Sequence, residues 1–176
     1  DHCRAHGIGI VRRITGGGAI YLDEGQLGWG LVFHRKALSA TCLAGLASDI
    51  CEAVADGLRR LGVDARYRPR NDIEVDGRKI SGTGGFFDGD TLIYQGTVLV
   101  DMNPAAMVAA LRVPRAKLEK RQLDSAAQRV VTLRELLGTA TPGLPAIQRA
   151  LLDAFSERFG LAWDPEPLTA AEEALA

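Results

Sequence analysis

Arg70-Asn71-Asp72-Ile73-Glu74-Val75-Asp76-Gly77-Arg78-Lys79-Ile80-Ser81-Gly82-Thr83 is a short alternation of polar and apolar residues folded about an Asp-Gly pair. Both central residues of a type I′ turn need positive φ, and Asp-Gly between alternating runs supplies them, so the stretch predicts a β-hairpin. The turn sets the register: Val75 lies opposite Arg78, Glu74 opposite Lys79 and Ile73 opposite Ile80. Ile73, Val75 and Ile80 then share one face, and Glu74 and Lys79 the other. On the hairpin alone, Lys79 is a solvated residue in a cross-strand pair with Glu74. Its neighbours raise a second reading. Asn71-Asp72 precede it, Ser81-Gly82-Thr83-Gly84-Gly85 follow it, and another glycine cluster lies upstream.

Composition narrows the field around this hairpin. With 176 residues, 47% of them hydrophobic, the chain can bury a substantial core and reads as one domain. A net charge of -1 lacks the electrostatic footprint of a general nucleic-acid binder, so no nucleic-acid partner is expected. No apolar run approaches the ~20 residues of a membrane span, and the N-terminus lacks a signal-peptide layout. No membrane partner is expected, and the cytoplasm is the default compartment. Cys3, Cys42 and Cys51 are odd in number and show no paired spacing, so reduced thiols are expected. Cys3-x-x-His6 with His2 alongside has too few companions for a metal site.

Residues 1–5 read as the end of a helix, 8–13 as a strand that delivers the chain into Thr15-Gly16-Gly17-Gly18, and 19–21 as further extended structure. A second strand is expected around 29–33. Leu43, Leu46, Ile50, Val54, Leu58 and Leu61 form one stripe of a helix over 41–62, with Thr41 as N-cap and Gly62 as stop. Residues 63–67 can form a strand into the hairpin, and 91–100 another, interrupted at Gly96-Thr97. Short helices are predicted at 104–111 and after Thr132, a solvated helix or loop over 114–128, and a strong helix over 145–159 closed by Gly160. Thr169 with Glu172 resembles a capping box. Strands and helices intermingle without regular strand-helix alternation, so the fold class is α+β with a mixed, largely antiparallel sheet.

Gly16-Gly17-Gly18 permits close backbone approach to an anion, and Arg12-Arg13 stand just before it. A guanidinium beside such a loop can clamp phosphate or carboxylate, although glycine triplets also occur in plain loops. Neither the G-x-x-x-x-G-K-[ST] nor the G-x-G-x-x-G nucleotide signature is present. His2, His6 and His34 have no nucleophile elbow as a partner. The chemistry these residues favour is electrostatic: a cation and glycine-rich backbone around an anionic ligand.

Taken together, Arg12-Arg13-Ile14-Thr15-Gly16-Gly17-Gly18-Ala19-Ile20-Tyr21, then Arg70-Asn71-Asp72 with Gly77-Arg78-Lys79-Ile80-Ser81-Gly82, then Gln95-Gly96-Thr97, resemble in order and spacing the three signature segments of lipoate–protein ligases. The resemblance continues through Ser125, Arg129-Val130 and Leu133, so that residues 1–165 form the ligase-like catalytic domain and 166–176 a tail or linker. It implies a fold of the class II aminoacyl-tRNA synthetase and biotin ligase type. It also implies ATP-dependent activation of lipoate, or octanoate, to an acyl-adenylate, with Mg2+ expected beside ATP and transfer of the acyl group to a lysine of a lipoyl carrier domain.

Lys79 matches the family's catalytic lysine. Arg13, Gly16, Gly17, Gly18, Ala19, Ile20, Tyr21, Asn71 and Asp72 would bind ATP and the adenylate, while Ser81, Gly82, Gly96 and Thr97 would lie near the lipoyl-adenylate. No protein metal site is expected. The carrier is a 2-oxoacid dehydrogenase E2, a glycine-cleavage H protein or a lipoate-binding protein, with an accessory domain or companion subunit completing the assembly. Family members normally carry a strand-helix-strand segment before the position of Asp1.

Two further readings stay open. An ATP-independent octanoyl or lipoyl transferase would use a cysteine nucleophile, which in the closest branch sits where this chain has Arg70-Asn71-Asp72. A non-catalytic half of a two-part ligase would only bind the lipoyl domain. The chain departs from familiar bacterial ligases at Leu22, at Tyr94-Gln95 and in Ser81-Gly82-Thr83-Gly84-Gly85.

Overall fold

A computed structural model describes residues 2–37, 42–111 and 128–175. The hairpin forms as β3 (Asp72–Val75) and β4 (Arg78–Asp88), and its turn residues Asp76 and Gly77 have φ of 50° and 76°. Val75 pairs with Arg78 and Glu74 with Lys79 as the turn dictates, but a bulge then sets Ile73 opposite Ser81 and Asp72 opposite Gly82. The extra residue turns both Ile80 and Ser81 inward, each fully buried, and leaves Lys79 and Gly82 together on the other face.

Three more strands complete the sheet: β1 (Gln26–His34), β2 (Arg66–Arg68) and β5 (Thr91–Leu99). The order is β1-β5-β4-β3-β2, with every neighbouring pair antiparallel, which places the chain in the α+β class. β5 runs unbroken through Gly96-Thr97, contrary to the expected interruption. β4 is longer than the hairpin alone predicts, because its glycines pair with β5 as far as Asp88. The expected strand over 8–13 does not form. That segment pairs with no described strand, and Val11 is 92% exposed.

Alternation along β5 assigns the two faces. Leu92, Tyr94, Gly96 and Val98 are buried, while Ile93, Gln95 and Thr97 on the opposite face are partly open. The buried face is covered by α2 (Leu43–Arg60) and by a second long helix spanning Leu144–Phe159. Of the predicted α2 stripe, Leu46, Ile50, Val54 and Leu58 are in the core, with Cys51 buried beside them. Thr41 lies outside the described residues, and the observed N-cap is Cys42, whose Sγ accepts from Gly45 N–H at 3.4 Å.

The remaining helices are short: α1 (His2–Ala5), α3 (Pro104–Ala110) capped by Asn103, α4 (Leu133–Leu137) capped by Thr132, then the Leu144–Phe159 helix as α5, and α6 (Ala170–Glu173) with the expected Thr169–Glu172 capping box. α5 ends at Gly160 in the left-handed conformation, as predicted. The expectation for 114–128 falls almost entirely on residues 112–127, outside the described residues. All three cysteines are free. Among the described residues no helix is long and apolar enough to cross a membrane.

Candidate functional site

The glycine-rich loop and the hairpin meet across the sheet at a cavity of about 940 Å³. Arg13, Gly16, Gly17, Gly18, Ala19, Ile20 and Tyr21 line it from the loop, Asn71 from the turn before β3, and Lys79, Gly82, Gly96 and Thr97 from the strands. Across the open face, Gly28 and Gly30 of β1 lie beside Thr97 and Gln95 of β5, which lie in turn beside Gly82 and Gly84 of β4. Two rows of glycines thus flank a pair of polar side chains. A ligand can lie close to the backbone there because no Cβ stands in the way.

Lys79 is held from both sides. β3 pairs with it through the hairpin, and on its other side, where β5 has ended, residues 129–131 form a short parallel bridge. Lys79 N–H donates to Arg129 O at 2.8 Å, and Val131 N–H donates to Lys79 O at 2.9 Å. Its side chain does not pair with Glu74 as expected. The ammonium reaches past it to Asp72 Oδ1 at 2.6 Å, while Glu74 pairs with Arg68 at 2.8 Å. Gly82 makes this reach possible, since a Cβ there would stand 2.6 Å from Lys79 Nζ. Burial pushes the Asp72 carboxyl up, but the neighbouring Lys79 ammonium and the hydrogen bond from Arg68 bring it below the ordinary carboxylate range.

Arg13 is the hub of the glycine loop. Its Nη2 donates to Gly16 O and Gly18 O, both at 2.7 Å, and its Nε donates to Thr15 Oγ1 at 3.1 Å. Gln95 Nε2 of β5 also donates to Thr15 Oγ1, at 2.8 Å, and so ties the loop to the sheet. The guanidinium is thus engaged by the loop's own carbonyl oxygens, where the sequence predicted a direct clamp on phosphate or carboxylate. Asn71 is fixed in turn by Thr83. Its Nδ2 donates to Thr83 O at 2.9 Å, and its own carbonyl accepts from Thr83 N–H and Oγ1. Tyr94 OH lies 2.9 Å from Thr83 Oγ1, and burial pushes that phenol well above its ordinary range.

Two predicted residues do not line the cavity. Ser81, expected near the lipoyl-adenylate, faces the core because the bulge turns it inward; Asp72 sits behind Lys79 as its counterion. Several lining residues lay outside the motifs, among them Trp29, Leu43 and Met107. The Trp29 indole N–H is buried with no partner among the described residues, which suits it to receive a polar ligand atom. Arg68, which no motif singled out, stands opposite Asp72 in the β2–β3 pairing. No group of three or more His, Cys, Asp or Glu side chains converges among the described residues.

This arrangement has relatives. Lipoate-protein ligase LplJ of Bacillus subtilis is 36% identical over 132 residues, which is 75% of this chain and 39% of LplJ. Octanoyltransferase LipM of Kyrpidia tusciae is 28% identical over 194 residues, covering 96% of this chain and 69% of that protein. Among solved structures, that of a bi-partite lipoate protein ligase and its E2 lipoyl domain from Thermoplasma acidophilum matches 99% of this chain and 67% of that one, with TM-score 0.86 and 28% identity. Lipoate-protein ligase A bound with ATP matches with TM-score 0.82 and 26% identity, over 98% of this chain and 68% of that one. Biotin protein ligase from Aquifex aeolicus, at TM-score 0.59 and 19% identity over 78% of this chain and 54% of that one, shares the fold. The family model described as the lipoyl protein ligase A/B catalytic domain matches residues 1–156, and the chain therefore belongs to that family.

Proposed function

We propose that this chain is the catalytic domain of an ATP-dependent lipoate–protein ligase. The observation that carries the reading is Lys79: a lysine clamped on both backbone edges, with its ammonium beside a glycine-floored cavity and opposite a glycine loop. In the first step a carboxylate oxygen of lipoate or octanoate attacks the α-phosphorus of ATP, and the bond to the departing pyrophosphate breaks. In the second, the amine of a carrier lysine attacks the acyl carbonyl, AMP leaves with the bonding electron pair, and the amine gives up a proton. An ammonium between carboxyl and α-phosphate offsets their repulsion and stabilises the charge that develops in both steps.

The glycine loop braced by Arg13 would receive the phosphates, and Ala19, Ile20 and Tyr21 would line the adenylate, with Asn71 at its edge and Gly82, Gly96 and Thr97 beneath the acyl-phosphate junction. Magnesium enters as the counterion of ATP. Among the described residues no group of three or more His, Cys, Asp or Glu side chains converges to hold it. The carrier is a lipoyl domain of an E2 subunit, an H protein or a lipoate-binding protein, and the working compartment is the cytoplasm. Likeness to a bi-partite ligase supports a companion subunit or accessory domain that completes the site.

A cysteine-based transferase is the weaker reading, because none of Cys3, Cys42 and Cys51 lines the cavity. Cys51 is fully buried, and burial pushes its thiol up, away from the reactive thiolate. The test is lipoate-dependent ATP–pyrophosphate exchange, followed by mass spectrometry of candidate carriers. Lys79→Ala is expected to abolish exchange; exchange at the unmodified rate, or carrier acylation without ATP, overturns the reading.

A further inference from the structure

Behind Lys79 lies a set of charges that the reaction scheme does not use. Asp72 presents its two oxygens to two cations, Oδ1 to Lys79 Nζ at 2.6 Å and Oδ2 to Arg68 Nη2 at 2.7 Å. Arg68 stands directly opposite Asp72 in the β2–β3 pairing and does not line the cavity. Its second nitrogen holds Glu74 Oε1 at 2.8 Å, so the guanidinium is anchored at two points. The Asp72 side chain is 17% exposed and that of Arg68 is 56% exposed.

An anionic ligand that draws the Lys79 ammonium further into the cavity weakens its hold on Asp72. A largely buried carboxylate stripped of its counterion either opposes that movement or takes up a proton. We propose that Arg68 is a positioning residue that keeps Asp72 a carboxylate while Lys79 turns to the acyl-phosphate centre, so that the ammonium passes between two anions without proton transfer. The inference rests on the ligase reading above.

The charged and titratable groups around Asp72 are few. Arg68 faces it from β2, Lys79 from β4, and Glu74 shares its face of β3. Arg70 and Asn71 precede it in the turn, and the Cys51 thiol of α2 is near enough to feel its charge. Burial raises the carboxyl, while Lys79 first and Arg68 second lower it. With Lys79 engaged by ligand and Arg68 removed, burial and the nearby Glu74 charge both favour the protonated form.

Calorimetric titration with an unreactive acyl-sulfamoyl adenosine, in buffers of different ionisation enthalpy, counts the protons taken up. Unmodified protein is expected to bind with no net uptake. Arg68→Gln is expected to bind about tenfold more weakly, the weight of one charge-assisted hydrogen bond, with proton uptake that grows as the pH falls. Arg68→Lys restores both values, and Asp72→Asn placed in the Arg68→Gln background removes the uptake. Thermal melts confirm that each variant is folded. An Arg68→Gln protein with unmodified affinity and proton count overturns the inference and leaves the ligase reading standing, as does uptake that persists in the double variant. Failure of the unmodified protein to bind the analogue overturns the ligase reading and the inference with it.

Discussion

A single missing side chain decides where the proposed catalytic lysine points. Gly82 lies on the same face as Lys79, three residues along a bulged strand, and the ammonium occupies the space where a Cβ would be. Gly82→Ala is expected to push the flexible end of Lys79 aside and slow adenylate formation by about 100-fold, the usual consequence of a reacting group displaced by about 1 Å. Because the lysine end can yield, the melting temperature should hardly change. Loss of stability without loss of rate would show that Gly82 serves packing and not the aim of Lys79. The partner of Lys79 was not legible in the hairpin. Alternation pointed to Glu74, but the bulge shortens the span from Lys79 to Asp72, and Arg68 occupies Glu74 from the far side.

At the level of elements, the sheet is carried on a helix pair whose approach also depends on a glycine. Gly57 of α2 meets α5 so closely that a Cβ would lie 2.8 Å from Leu151 Cδ2 and 3.1 Å from Ala150 O. Ion pairs of Arg60 with Glu157 and of Arg158 with Asp56 flank the crossing. Gly57→Val is expected to destabilise the fold by about 1–3 kcal/mol through overpacking, read as an earlier midpoint in urea unfolding. Both helices were legible from their apolar spacing and their glycine stops, since that periodicity reports the buried stripe directly. The glycine at their contact was hidden inside the α2 pattern. Local sequence carries no record of which partner a helix face will meet.

Across the whole molecule, the cavity exists because three distant segments converge at the sheet: the loop after Arg13, the β3–β4 hairpin and residues 129–131. The loop is tied to the sheet through the Gln95–Thr15 hydrogen bond. Gln95→Ala is expected to leave global stability within about 0.5 kcal/mol, as for an isolated polar change. It should also speed tryptic cleavage after Arg12 and Arg13, measured against unmodified protein under native conditions. Unchanged cleavage would mean that Arg13 alone holds the loop. By itself the sequence determined the α+β class, the hairpin and its turn, the two long helices with their stops, and the glycine-flanked lysine, because each rests on residues that interact within a few positions of one another. Only the tertiary structure decided the inward turn of Ser81, the failure of 8–13 to pair as a strand, the self-braced state of Arg13 and the Lys79–Asp72–Arg68 charge chain. Those depend on which strand lies beside which, and on one bulged residue that shifts the register of every side chain beyond it.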